Sequence, residues 1–336
     1  MLENRIKRII ISTAAIDAIN DNDNKFRSCE VQVMISTIKS LIPSLENNGV
    51  KINYDRYKKE LELLNYYFDK NKKSGSRLNR VDYWSYEDKT FTSRIIPIVI
   101  ANEDYETAKK EIIKNILYST GNINILLNGI LLGKLLDYLI KNQQILYDDI
   151  LSKLKNEIIA FSQTKFLEEY RDHYRKSLDE YSGNFLVDFE RNRIKLINIL
   201  NEIESKNINI LKKSLCIIKN KEDILIEKIK VDDLYVSAML GVYLKKISEK
   251  KYNDRNFIEK ISDYLIKLRK GRIDSRNLKV KIYSIPDLFK YDVGKEINHP
   301  LLNRCQIVKR YNHNESIVIE VVTKSGLYKF KRNNTL

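Results

Sequence analysis

Apolar residues recur at three- and four-residue steps along most of the chain, and the deepest such run lies over residues 123–140. Ile123, Leu126, Leu127, Ile130, Leu131, Leu135 and Tyr138 fall on one face there, which predicts a helix with a continuous apolar stripe. Asn124, Asn128, Lys134 and Asp137 interrupt the run too often for a membrane span, so the expectation is a buried helix at the centre of a core. Helices expected just before it, over 92–101 and 104–118, have short connections and would pack on its face. Three such helices in succession predict an all-α core.

The same periodicity predicts helices over 5–20, 28–42 and 54–69. Ser28 is placed to cap the second of them and Pro43 to end it. A polar, Gly- and Ser-containing stretch over 71–80 reads as a loop. Downstream the pattern predicts long helices over 146–174 and 185–204, a turn at 180–184, and further helices over 208–218, 232–248 and 254–270. From residue 278 the period drops to two. Strands are expected at 280–283, 306–311, 316–323 and 327–331, with turns at 312–315 and 324–326. The fold class is therefore mainly α, an all-helical bundle over 1–272, with a small β-hairpin extension over 273–336. So short a sheet must lean on the helices for its core.

Composition changes this picture little. A chain of 336 residues with 43% apolar content is long enough for one large core. The three cysteines, Cys29, Cys216 and Cys305, are scattered and odd in number, which argues against a disulfide framework. Charged residues run through the first twenty positions, unlike a secretory leader, so a cytoplasmic protein without a membrane anchor is expected. The net charge of +15 would suit nucleic acid, and basic and aromatic residues alternate in Tyr328-Lys-Phe-Lys-Arg332. The lysines are spread rather than blocked, however, and the pattern favours a solvated surface. His173, His299 and His313 show no metal-ligand spacing.

Five short segments taken together resemble the ADP-ribosylglycohydrolase (DraG-like) family. The opening Arg5-Ile-Lys-Arg-Ile-Ile-Ile-Ser-Thr-Ala-Ala-Ile-Asp17-Ala18 is similar to that family's R-x-x-G-A-L-x-G-x-A-x-G-D-A helix, with Arg8, Ser12 and Ile16 where glycines usually stand. Ser28-Cys29-Glu30-Val31-Gln32 occupies the place of T-D-D-T-Q. Arg94-Ile-Ile-Pro97 keeps the R-x-x-P of the next element, and Ser119-Thr120-Gly121-Asn122 sits where a Ser/Thr-His turn is usual. Asp232-Asp233-Leu234-Tyr235 stands at the D-x-D-T helix. The resemblance covers roughly residues 5–245, and it lies in the order and spacing of the segments more than in any one of them.

The resemblance implies a helical scaffold that holds an ADP-ribosyl group through paired magnesium ions and hydrolyses the bond at its anomeric carbon. Residue by residue it assigns metal ligation to Ser28, Glu30, Asp232 and Asp233, catalysis to Glu30, and ligand binding to Asp17, Arg94 and Asn122. Cys29 puts a soft sulfur where a hard oxygen is wanted, and Leu234 and Tyr235 offer no carboxylate. That leaves no cofactor, or a single weakly held magnesium ion. The expectation is a non-catalytic or weakly active relative, a pseudoenzyme, binding a nucleotide-type ligand or an ADP-ribosylated partner protein. An active magnesium-dependent hydrolase is the alternative, and a nucleic-acid-associated protein a further one. Plainer roles compete for each residue: the helix dipole favours Glu30 in a first turn, Asp17 needs a partner if buried, and Arg94 suits a structural ion pair.

Overall fold

The computed structural model describes residues 2–20, 26–44, 49–67, 82–142, 144, 146–202, 209–219, 234–243, 252, 254–274, 285–314 and 316–333. Helices dominate, and a four-stranded sheet ends the chain. The long apolar run forms helix α6 (Ile123–Lys141), buried along nearly its whole length. Helix α4 (Phe91–Ala101) is buried on every side. Helix α5 (Tyr105–Ser119) packs against both. Glycines allow this closeness. A Cβ on Gly129 would stand 2.3 Å from Ile116 Cδ1, and one on Gly133 would stand 2.6 Å from Ile112 Cδ1. Among the described residues α6 is long and apolar enough to cross a bilayer, but 83% of its apolar window is buried inside the protein, as befits a core helix.

Around this centre lie α1 (Leu2–Asn20), α2 (Cys29–Ser40), α3 (Tyr54–Tyr67), α7 (Tyr147–Ala160), α8 (Gln163–Tyr170), α9 (Phe185–Leu200), α10 (Ile210–Lys219), α11 (Leu234–Tyr243) and α12 (Arg255–Arg269). Helices α1 and α11 run antiparallel in close contact. Gly241 lies against the Arg8 carbonyl and Ser12, while Val236 and Leu240 cluster with Ala15 and Ile16. The start of α11 therefore meets the end of α1.

Several boundaries differ from the sequence expectation. The helix expected over 28–42 stops at Ser40, and β1 (Leu41–Pro43) pairs antiparallel with β2 (Val50–Ile52). Proline favours an extended residue before it, which turns the last part of the helical pattern into a strand. The helix expected over 146–174 breaks at Phe161 and Ser162. The Ser162 hydroxyl caps α8 by accepting from Lys165 N at 3.4 Å, and Phe161 stacks on Phe189 with ring centres 6.1 Å apart. The expected loop at 71–80 and strand at 280–283 lie outside the described residues.

The extension is a meander of β3 (Glu296–His299), β4 (Asn303–His313), β5 (Ser316–Thr323) and β6 (Gly326–Asn333) in the order β3-β4-β5-β6. Three of the expected strands are present, and β3 was not anticipated. Cys305, Ile307, Ile319, Val321, Tyr328 and Phe330 belong to the same continuous apolar cluster as the helices. The sheet leans on α3 through β6, as its size demands.

Polar staples fix it there. Arg27 pairs with Asp254 at 3.0 Å, donates to the Ser325 carbonyl and lies 5.2 Å from the Phe257 ring centre. Gly326 has φ +107° in the β5–β6 turn, and a Cβ there would strike Asp254. Lys39 pairs with the buried Glu60 at 2.6 Å and donates to the Leu301 carbonyl at 2.8 Å. Buried His299 accepts from Leu301 N at 3.1 Å and Leu302 N at 3.2 Å through Nδ1, which holds the β3–β4 turn. Burial, with Lys39 nearby, pushes the His299 pKa down to about 4.

Gly326→Ala should lower stability by about 1–3 kcal/mol, read as a lower urea midpoint, because that backbone conformation suits glycine and the space is filled. His299 is neutral when folded and its unfolded pKa is about 6.5. Its contribution is therefore full above pH of about 6.5 and is lost as pH falls toward about 4. His299→Asn keeps an acceptor near the Nδ1 position and does not titrate. The stability advantage of the native chain over this variant should shrink between pH 7 and pH 4 in paired urea titrations; an advantage independent of pH would refute the assignment.

Candidate functional site

The residues singled out by sequence fall into two groups, each with partners of its own. At the junction of α1 and α2, Asp17 Oδ2 accepts from Ser28 N at 3.0 Å. Ser28 Oγ accepts from Val31 N at 3.2 Å and caps α2. Glu30 lies in the first turn of α2, where the positive end of the helix favours it, and Cys29 is half-buried. The start of α11 arrives at the same end of the bundle. Asp17 and Ser28 are thus in contact, and Glu30 follows two residues on in the first turn of α2. Asp232 and Asp233 lie outside the described residues. The next two residues of that segment face the core: Leu234 and Tyr235 are buried, and the Tyr235 hydroxyl donates to the Leu132 carbonyl of α6 at 2.5 Å.

The second group surrounds the segment 82–90. Arg94, only 1% exposed, pairs with the equally buried Asp88 at 2.6 Å. Its Nε donates to Asn115 Oδ1 at 2.6 Å and its Nη1 to Thr90 Oγ1 at 3.1 Å. Asp88 Oδ1 in turn accepts from Thr90 N at 2.9 Å and Thr90 Oγ1 at 2.8 Å. Asn122 caps α6 through Oδ1, which accepts from Asn124 N at 3.0 Å and Ile125 N at 3.3 Å. Thr120 binds the carbonyls of Tyr83 and Tyr86. Arg94 and Asn122 therefore hold the segment 82–90 against α4, α5 and α6. The geometry gives both a structural task, whereas the resemblance implies a ligand-binding one.

A different set of residues, not anticipated from the sequence, lines a cleft of about 370 Å³ beside β2 and α5. Its floor is Glu111. Oε1 accepts from Ile52 N and from Tyr54 Oη, both at 3.1 Å. Oε2 makes no hydrogen bond among the described residues. Lys51, Lys114, Tyr118 and His173 complete the lining. The Tyr54 and Tyr118 rings are 4.9 Å apart, and Arg175 lies 5.4 Å from the centre of the Tyr118 ring. Burial raises the Glu111 pKa, although its two hydrogen bonds and the nearby lysines oppose the shift. Burial, and then Lys114, hold the His173 imidazole below its ordinary value, so it is neutral at pH 7. A signal existed: Glu111 falls on the inner face of α5, three residues after Ala108 and four before Asn115, where the pattern calls for apolar side chains. His173 is exposed, as its charged neighbours suggest, yet it closes one side of this cleft.

Among the described residues no three His, Cys, Asp or Glu side chains come together as a metal site. Comparison with known proteins returns no matching family model and no matching curated protein.

Asp88→Ala should cost about 3–5 kcal/mol of stability, because it strands a buried guanidinium. The paired replacement Asp88→Leu with Arg94→Met removes both charges and should cost clearly less. Equal losses from single and double variants in urea unfolding would contradict the ion-pair reading.

Proposed function

We propose that this protein is a divergent ADP-ribosylglycohydrolase-like helical protein that binds an ADP-ribosyl or nucleotide-type ligand, free or carried on a partner protein, and hydrolyses it weakly or not at all. What supports the scaffold is convergence. Three of the five resembling segments, the end of α1, the start of α2 and the start of α11, meet at one end of the bundle. What supports the loss of catalysis is chiefly Tyr235. It stands within the segment that resembles the family's second cluster of carboxylates, and its hydroxyl is committed to the Leu132 carbonyl in the core.

The remaining oxygens fit a divalent ion poorly. Asp17 Oδ2 is taken by Ser28 N and Ser28 Oγ by Val31 N, and Cys29 contributes a soft sulfur. The contact of Asp17 with Ser28, with Glu30 two residues further along α2, is the observation that favours the alternative, a magnesium-dependent hydrolase working with a single ion. Cytoplasmic residence accords with either reading. Binding of nucleic acid would rest on net charge and on the tail 328–332, but Tyr328 and Phe330 of that tail are buried, and many of the described lysines and arginines are already paired across the surface, as Lys7 is with Asp263 and Lys110 with Glu169.

Two measurements on the full chain separate these readings. ADP-ribose should raise the melting temperature, because a ligand selective for the folded state stabilises it, and Asp17→Asn should diminish the rise. Release of ADP-ribose from an ADP-ribosylated protein mixture should stay at the level of a protein-free control, with and without magnesium. Brisk magnesium-dependent release, abolished by Asp232→Ala, would establish the hydrolase instead. Indifference to ADP-ribose would remove both.

A further inference from the structure

The Glu111 cleft lies beside β2 and α5, while the Asp17–Ser28 junction joins α1 to α2, and the two share no lining residue. A structural task accounts for half of Glu111. The strand β2 has β1 on one side only, and its Val50 and Ile52 amides point away from that ladder. Asn102 Oδ1 accepts from Val50 N at 2.8 Å, and Glu111 Oε1 accepts from Ile52 N. Two side chains thus stand in for a missing strand, and a buried amide must have some acceptor. Oε1 alone meets that need. It leaves Oε2, on a residue 7% exposed, without a protein partner in a cleft whose volume lies within the range of small-molecule sites, about 300–1,000 Å³.

The surroundings of Oε2 narrow the ligand. Lys51 and Lys114 flank it, and Lys114 has no hydrogen-bond or ion-pair partner among the described residues. Those cations would repel an ammonium group brought to the carboxylate. A simple inorganic anion would be attracted by the lysines but repelled by Glu111 at the floor. A ligand satisfies both when it places a neutral hydroxyl on Oε2, which accepts from it in the ionised form that Lys114 and Lys51 favour against burial, and a separate anionic group at the lysine side of the cleft. The rings of Tyr54 and Tyr118 supply an apolar wall for a carbon skeleton between those two ends. Neutral His173 adds a further donor or acceptor at the edge.

We propose that this cleft binds a phosphorylated monosaccharide, with a sugar hydroxyl donating to Glu111 Oε2 and the phosphate held by Lys114. The test is calorimetric titration of the full chain with glucose 6-phosphate, glucose and inorganic phosphate as separate probes. Glucose 6-phosphate should bind at least about tenfold more tightly than either fragment, a difference of about 1.4 kcal/mol. Glu111→Gln keeps an acceptor for Ile52 N but replaces the open oxygen with a donor, and it should weaken binding by about tenfold or more. Lys114→Ala, which alters a partly exposed side chain with no hydrogen-bond or ion-pair partner among the described residues, should do the same and serves where the first variant folds poorly. Lys309→Ala, which removes an exposed cation of β4 outside both sites, should leave the affinity unchanged, so that a loss in Lys114→Ala is not one of net charge. The proposal is overturned if glucose 6-phosphate does not bind, if inorganic phosphate binds equally well, or if binding survives both cleft variants.

Discussion

Burying two helices whole obliges the rest of the chain to provide for their carbonyl ends. Helices α4 and α6 lie inside the core, and the last carbonyls of a helix have no partner within it. Two arginines answer this, each from a helix distant in sequence. Arg269 of α12 donates through one nitrogen to the carbonyls of Val99, Ile100 and Asn102 at the end of α4. Arg5 of α1 does the same for Leu139, Ile140 and Asn142 at the end of α6. A guanidinium suits both places, since its charge opposes the negative end of the helix and its donors reach several oxygens. Burial lowers both arginine pKa values, but a guanidinium is so strong a base that both remain charged at neutral pH. The first and last long helices are thereby tied to the two most buried ones. The position of α1, and with it the Asp17–Ser28 junction, follows from that tie.

Arg5 is one of the positions in register with the family's opening helix, and its observed work is to cap α6. Arg94 and Asn122 are likewise in register and likewise committed to the protein itself. The segments that resemble the family are therefore, in this chain, the ones that organise the core. Folding alone accounts for these residues, so their register with the family carries no chemistry by itself.

The helical core was legible because it rests on periodicity: α4, α5, α6 and α12 begin and end within two residues of the expected positions. The misjudged places are those where periodicity and local chemistry disagree. Phe161 and Ser162 keep the apolar spacing of α7 yet break it, because Phe161 joins an aromatic cluster and Ser162 supplies a cap. Leu41 and Ile42 continue the stripe of α2 but precede Pro43. The strand β2 is three residues long and draws half its support from side chains of α4 and α5, so no local pattern announces it. The Glu111 cleft was illegible for the same reason. Its lining comes from residues 51 to 173, and neither charge nor spacing along the chain links them.

The buried carboxylates give a way to separate residues that hold the fold from residues that await a ligand. Glu60, Asp88, Glu111 and Asp137 are all largely removed from solvent. Glu60 lies beside Lys39 and Arg56, Asp88 beside Arg94, and Asp137 beside Lys141, each within ion-pairing distance. Glu111 has no such cation among the described residues. A lone buried carboxylate raises its pKa and costs stability, and the direction of the Glu111 shift agrees. An edge amide needs only a neutral acceptor, as Asn102 demonstrates one residue pair away on the same strand. A carboxylate in that role is more charge than the fold requires. Such an excess, with one oxygen turned to a cleft and cations beyond pairing distance at its rim, marks a binding position.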